Sequence, residues 1–229
     1  MKISVLGTGD VGQTLAAALV EKGHEVMIGT RDVDEKLSEK QGAHGSPPFS
    51  EWFGKHEDIL LGTFQESASF GELVINATNG ANSLNALDLA GEENLEGKVL
   101  IDVSNPLDFS KGMPPTLLDG VNNSNSLAEE IQKEFPGTRV VKTFNTMWCG
   151  LMVNPGMIGN GNHVNYICGN DESAKREVKS LIKELGWKDE SIIDLGDLTG
   201  ARGMEAYLLL WVRLWGTVGT GAFNLGIVK

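Results

Sequence analysis

The chain has few of the residues that mark secreted, metal-binding or nucleic-acid-binding proteins. It holds only two cysteines, Cys149 and Cys168, which form neither a C-x-x-C pair nor a ligand-spaced set. A secreted chain of this size more often carries several disulfides, so the shortage points to the reducing cytoplasm. His24, His44, His56 and His163 stand at no metal-ligand interval, and no metal site is expected. Basic residues are scarce: 19 Lys and Arg against 31 Asp and Glu give a net charge of −12 and a pI near 4.8. Such a surface repels nucleic acid and acidic membranes, and no local basic patch offsets it. Long apolar runs are missing too. Tyr207 to Val228 contains Arg213 and four glycines, short of the ~20 unbroken apolar residues of a membrane span. It reads as a buried helix or a dimer face. The apolar run after Lys2 leads into a glycine turn, not a small-residue cleavage site, so no leader peptide is expected.

What is present suits an ordinary α/β protein. With 229 residues and 41% hydrophobic content, the chain can bury one full core and a small second one. Lys2 to Leu6 reads as a strand, and Asp10 to Lys22 as a helix with Val11, Leu15, Ala18 and Leu19 on one face. Further strands are expected at His24 to Ile28, Ile59 to Phe64, Leu73 to Ala77, Lys98 to Val103 and Arg139 to Phe144. Gln41 to Lys55 reads as loop-rich. Ser126 to Glu129 fits a capping box before a helix that stops at Pro136 and Gly137. This alternation implies a doubly wound parallel sheet with helices on both faces. After Gly150 a glycine and asparagine loop suggests a boundary, dividing a nucleotide-binding region, 1–150, from a smaller C-terminal region, 151–229. Two more strands, His163 to Cys168 and Ser191 to Leu195, flank a helix beginning near Asn170. A long apolar helix runs from Thr199.

Gly7, Gly9 and Gly12 form G-x-G-x-x-G between the first strand and the first helix, the context that makes this pattern specific for a dinucleotide. Gly7 permits the turn, Gly9 lets a diphosphate approach the backbone, and Gly12 lets the helix pack on the strand. Backbone amides of Thr8, Asp10 and Val11, together with the helix dipole, would face the phosphates. An acidic residue at the end of the second strand would select NAD by taking its ribose diol. Gly29 and Thr30 stand there instead, with Arg31 next. A hydroxyl and a guanidinium suit the 2′-phosphate of NADP, and Lys36 offers a third contact. The competing reading has Arg31 paired on the surface with Asp34 or Glu35.

The stretches GTGDVGQTLA, HEVMIGTRD, VVKTFNTM, CGNDESAK and LTGARGMEA resemble the NADP oxidoreductases that use the deazaflavin coenzyme F420. More loosely, the chain is similar to the reductase domain of six-transmembrane metalloreductases and to pyrroline-5-carboxylate reductases. The resemblance implies a Rossmann domain with a short C-terminal extension ending in a long helix, commonly a homodimer, and direct hydride transfer between nicotinamide and deazaflavin. It implies cofactor contacts at Gly7, Thr8, Gly9, Asp10, Val11 and Gly12, and at Thr30 and Arg31 for the 2′-phosphate. After the sixth strand the family has a His-Thr-Ile segment followed by proline, whereas this chain has Phe144, Asn145, Thr146, Met147 and Trp148.

Ligands of open parallel sheets sit at the carboxyl ends of the strands. There the chain offers Ala77, Thr78 and Asn79, then Ser104, Asn105 and Pro106, then Asn145, Thr146 and Met147. Asn79, Asn105, Asn145, Thr146 and Met147 are the candidates near a nicotinamide, and no acid-base dyad is evident. Hydride transfer between stacked rings needs alignment more than a proton donor. Arg202 and Glu205 suit either an intrahelical ion pair or a substrate anchor. Trp148, Trp211 and Trp215 could stack on a flat ring or fill an interface. Two classes of function remain: an NADP(H)-dependent reductase of a flavin-like ring or another small acceptor (ferric, carbonyl or imine), and a non-catalytic NADP(H)-binding redox sensor. Met204 to Phe223 holds more apolar area than one domain needs, and a homodimer through that helix is expected.

Overall fold

The computed structural model describes residues 1–42 and 46–228; His44 lies outside the described residues. In chain order the elements are β1 (Lys2–Leu6), α1 (Asp10–Glu21), β2 (Glu25–Thr30), α2 (Val33–Ser38), α3 (Phe49–Phe53), β3 (Ile59–Thr63) and α4 (Phe64–Phe70). There follow β4 (Leu73–Asn76), α5 (Ser83–Ala90), α6 (Glu92–Leu95), β5 (Val99–Asp102), β6 (Leu107–Asp108), β7 (Thr116–Leu117) and α7 (Leu127–Glu134). The chain ends with β8 (Arg139–Thr143), α8 (Cys149–Val153), β9 (Asn165–Gly169), α9 (Glu172–Glu184), β10 (Ile192–Asp194) and α10 (Ala201–Val218).

Eight strands form one sheet in the order β10-β9-β8-β5-β4-β1-β2-β3, and β6 pairs with β7 as a separate small hairpin. This is the Rossmann arrangement with a long C-terminal helix. Period-two side chains divide the core. Ile3, Val5, Leu73, Ile75, Val99, Ile101 and Val141 face one side, with Leu15 and Leu19 of α1 and Val178 and Ile182 of α9. Leu6, Val74, Leu100 and Val140 face the other, with Ala86 and Leu87 of α5, Ile131 of α7 and Met204 of α10. Strands that alternate between two apolar faces must be covered on both.

The sheet is not parallel throughout, as the alternation had implied. β9 runs antiparallel to β8, and β10 runs parallel to β9. The reason lies in the link after β8. A parallel crossover needs a helix that carries the chain back along the sheet, but α8 has only five residues, about 7 Å of rise. The chain therefore turns back at the same end.

Two further local expectations changed. α3 occupies part of the loop-rich stretch, with Phe49 buried. Ser126 caps α7 by accepting from the Glu129 amide, but Glu129 answers the Ser126 hydroxyl. The complete reciprocal box is at Thr63 and Glu66, which open α4.

Candidate functional site

β1 ends at Leu6 and α1 starts at Asp10, leaving Gly7, Thr8 and Gly9 to make the turn. Gly7 has φ of +122°, and a Cβ there would stand 2.6 Å from the Ala77 carbonyl oxygen. Gly12 is tighter still, since its Cβ would fall 2.0 Å from the Gly7 carbonyl oxygen. Gly9 is the reverse: nothing lies within 4 Å of the point where its Cβ would be. Two of the glycines close the backbone on itself, and the third faces open space. Gly9 is also the N-cap of α1 and gives its first-turn amides no side-chain acceptor. Such amides, at the positive end of a helix, suit an anion.

That open space is a groove across the carboxyl ends of the central strands. One part, about 340 Å³, is lined by Gly7, Thr8, Gly9, Thr30, Arg31, Lys36, Ala77, Thr78 and Asn79, together with Asp32, Glu35, Glu39, Phe64, Asn82 and Ala86. A second part, about 260 Å³, is lined by Gly9, Asp10, Val11, Ala77, Thr78, Asn79, Ser104 and Asn105, with Gly80, Val103, Leu107 and Phe109. Gly9, Ala77, Thr78 and Asn79 line both parts. β1 and β4 bring them together, because the two strands are adjacent and the Ala77 amide donates to the Leu6 carbonyl.

At the β2 end, Thr30 is buried and Arg31 is exposed. Among the described residues Arg31 pairs with neither Asp34 nor Glu35. Asp32 spends its carboxylate on the α2 N-terminus, accepting from the Glu35 amide at 2.8 Å. Lys36 is held by Glu39 at 2.6 Å, so it reaches the groove already paired.

At the other end, Thr78 and Ser104 join a buried network. The Thr78 hydroxyl donates to Asn76 Oδ1 at 2.6 Å, and Asn76 Nδ2 donates to Asp102 Oδ1 at 2.9 Å. Asp102 also accepts from the Ser104 hydroxyl at 2.7 Å. Lys142 Nζ stands 2.7 Å from Asp102 Oδ2 and 3.0 Å from Glu205 Oε1, all three side chains being fully buried. Burial alone would lower the Lys142 pKa, but the two carboxylates outweigh it and raise it, so the ammonium stays charged.

Asn145, Thr146 and Met147 line neither part of the groove and are buried. Asn145 reaches it through Asn105: its Nδ2 donates to Asn105 Oδ1 at 2.9 Å, and Asn105 Nδ2 donates to the Asn145 carbonyl at 3.0 Å. Phe144, before it, is a non-glycine residue at φ +63°, a conformation that costs energy and is found at functional turns. Asn145 Oδ1 and Thr146 Oγ1 are buried without a hydrogen-bond partner among the described residues. Pro106 is buried against Gly80, where a Cβ would meet its Cα at 2.9 Å.

Arg202 and Glu205 do not pair with each other, contrary to one sequence expectation. Arg202 Nε donates to Glu129 Oε2 at 2.9 Å across to α7. Glu205 accepts from the Leu127 and Ala128 amides at 2.8 and 3.2 Å, and from Lys142. Leu107 and Phe109 were missed as lining residues. So was the Lys142 cluster, although a lysine inside the apolar strand VVKTF and a glutamate inside MEAYLLLW hint at a buried pair.

A Rossmann sheet with a glycine turn and an open groove over its strand ends defines a dinucleotide-binding protein. The comparisons narrow the class. The profile of the family described as NADP oxidoreductase, coenzyme F420-dependent, matches residues 2–106. An F420-dependent NADP reductase from Methanothermobacter marburgensis is 30% identical over 225 residues, covering 93% of this chain and 92% of that one. The chain belongs to this family, whose nucleotide is NADP(H). A crystal structure of a protein proposed to be an F420-dependent NADP reductase, from Arthrobacter sp. FB24, is 52% identical with a TM-score of 0.94, covering 100% of both chains. Metalloreductase STEAP3 from Rattus norvegicus is 30% identical over 217 residues, and the chain spans 38% of its length. An imine reductase from Aspergillus terreus, 16% identical with a TM-score of 0.63 and covering 95% of this chain and 62% of that one, shares the fold. No helix among the described residues is long and apolar enough to cross a membrane.

Proposed function

We propose that the chain moves a hydride between NADP(H) and a flat acceptor ring, a deazaflavin such as coenzyme F420 or a flavin. The observation that carries this reading is the open space at Gly9 between two glycines that allow no side chain. Gly7 makes the turn, its own amide donated to the Gly29 carbonyl at 3.0 Å, and the amides that follow, over Thr8, Gly9, Asp10, Val11 and Gly12, would hold the diphosphate. Thr30 and Arg31 would take the 2′-phosphate, with Lys36 adding charge once released from Glu39. Bound NADPH supplies the hydride. Ala77, Thr78 and Asn79 form the floor, and Ser104 and Asn105 the side wall, with Asn145 supporting that wall from behind through Asn105 and Thr146 and Met147 buried next to it in the chain. Leu107 and Phe109 would exclude water from the nicotinamide end, where exclusion strengthens every fixed dipole.

A pure redox sensor needs no apolar cover over the nicotinamide. Leu107 and Phe109, which line that end of the groove, favour an enzyme that keeps water from the transferred hydride. The smaller region 151–229 would complete the pocket and carry a homodimer interface, since Leu210, Trp215 and Val218 of α10 are exposed. The free buried cysteines suit the reducing cytoplasm.

The test is anaerobic NADPH oxidation against coenzyme F420, FMN, FAD, quinones, imines and ferric chelates. Turnover with F420 or a flavin supports the reading. Tight NADPH binding with no turnover on any ring acceptor would replace it, with a ferric or imine reductase if those acceptors react and a sensor if none does.

A further inference from the structure

Lys142 lies beneath the groove, and the groove contacts assigned above do not involve it. Its three ammonium protons meet three acceptors: Asp102 Oδ2 at 2.7 Å, the Ser104 carbonyl at 2.7 Å and Glu205 Oε1 at 3.0 Å. Each acceptor belongs to a different part of the molecule: the end of β5, the loop that walls the groove, and the first turns of α10. Glu205 ties in a fourth part, because it also accepts from the amides that open α7. Asp102 is fixed from its other side by Asn76 and by the Ser104 amide and hydroxyl.

A buried charge cluster of this kind is a poor source of stability, because apolar side chains of similar volume serve as well or better. What it supplies is position. A lysine with every proton committed leaves each acceptor one place to be, and one of the acceptors is the Ser104 carbonyl. The peptide from Ser104 to Asn105 is thereby held with its oxygen toward the core, while the residues on either side of it line the groove. Asn145 adds a parallel tie between Asn105 and the Met204 carbonyl of α10 at 3.1 Å.

We infer that Lys142 is a positioning residue for hydride transfer, fixing the Ser104–Asn105 wall of the groove against α10 through Asp102 and Glu205. This rests on the cofactor orientation proposed above, with the nicotinamide at the Asn105 end and the 2′-phosphate at Arg31.

Two variants test it, Lys142→Met and the milder Glu205→Gln, which keeps its shape and one carbonyl acceptor. Adenosine 2′,5′-bisphosphate, which occupies only the Arg31 end, should bind both variants within about twofold of the unaltered protein, while the first-turnover rate of hydride transfer to coenzyme F420 falls about tenfold or more. The deuterium effect with NADPH labelled at the transferred hydrogen should rise as that step becomes limiting. Rates are taken per NADPH-loaded site, so a merely structural role, which lowers the folded fraction, would leave them unmoved. Unchanged rates would overturn the inference. If Lys142→Met does not fold, Glu205→Gln decides alone. If the unaltered protein does not reduce F420, that failure belongs to the proposed function, and the ratio of NADPH to bisphosphate affinity decides instead. A ratio lowered about tenfold supports the positioning role, and an unchanged ratio overturns it.

Discussion

The Gly7 carbonyl oxygen lies 2.0 Å from the point where a Cβ on Gly12 would stand, whereas Gly9, between them, has nothing within 4 Å. One motif therefore contains two kinds of glycine. Gly12→Ala should force the helix off the strand at a cost on the order of 1–3 kcal/mol, read as a lower midpoint in urea unfolding. Gly9→Ala meets no protein atom and should unfold within about 0.5 kcal/mol of the unaltered chain while weakening NADPH about tenfold. Equal losses of stability in the two variants would show that the turn is built for packing alone.

Acid stability should depend on the bridge between α7 and α10. The hydrogen bond from Arg202, outweighing the opposing effect of burial, holds the Glu129 carboxyl below its usual range. A lowered folded pKa adds stability above the unfolded value of about 4.5, and that stability is lost as pH falls through the folded pKa. The Ser126 hydrogen bonds add to the same effect, so Arg202→Met should remove most of it, moving the acid-unfolding midpoint upward and costing at most about 1 kcal/mol at neutral pH. Identical acid titrations monitored by circular dichroism would rule the bridge out as a contributor.

Neither cysteine should behave as a reactive thiol. Burial pushes Cys168 up to about 12, and burial likewise raises Cys149. The thiolate is the attacking species, so at neutral pH both should resist a disulfide reagent in the folded protein and react together once it is unfolded in guanidinium. Rapid labelling of the native protein at either site would contradict this.

The proposed dimer makes a sharper demand on α10 than the sequence allowed. Trp211 is partly covered, stacked on Phe223 at 5.3 Å, so substitutions there disturb the chain's own packing. Leu210 is 54% exposed and Trp215 44% exposed. Leu210→Glu and Trp215→Glu should leave the monomer folded and shift light scattering from dimer to monomer. An unchanged mass in both variants would place any interface elsewhere.

The sheet and the glycine turn were legible because they rest on local rules: β-branched runs, period two, and a turn that only glycine can make. Thr30 and Arg31 could be placed at the strand end for the same reason, even though β2 runs two residues beyond its expected stop. The reversal at β9 was not legible, since strand direction is set by how α8 and its loop turn the chain. Nor were the partners of Arg202 and Glu205. Both side chains look inward to α7 and β8, about seventy residues away in sequence, and helical spacing suggested a pair that tertiary packing dissolved. Leu107 and Phe109 escaped notice because the two-residue strand β6 carries no periodicity to read.

The groove from Gly9 to Arg31 is proposed to hold NADP(H) by its 2′-phosphate. Calorimetric titration with NADPH and NADH, on the unaltered chain and on Arg31→Ala, reads that contact. NADPH should bind at least about tenfold tighter than NADH, and Arg31→Ala should remove most of that difference while leaving NADH binding nearly unchanged. Equal dissociation constants for the two cofactors, or an Arg31→Ala variant that weakens both alike, would contradict it.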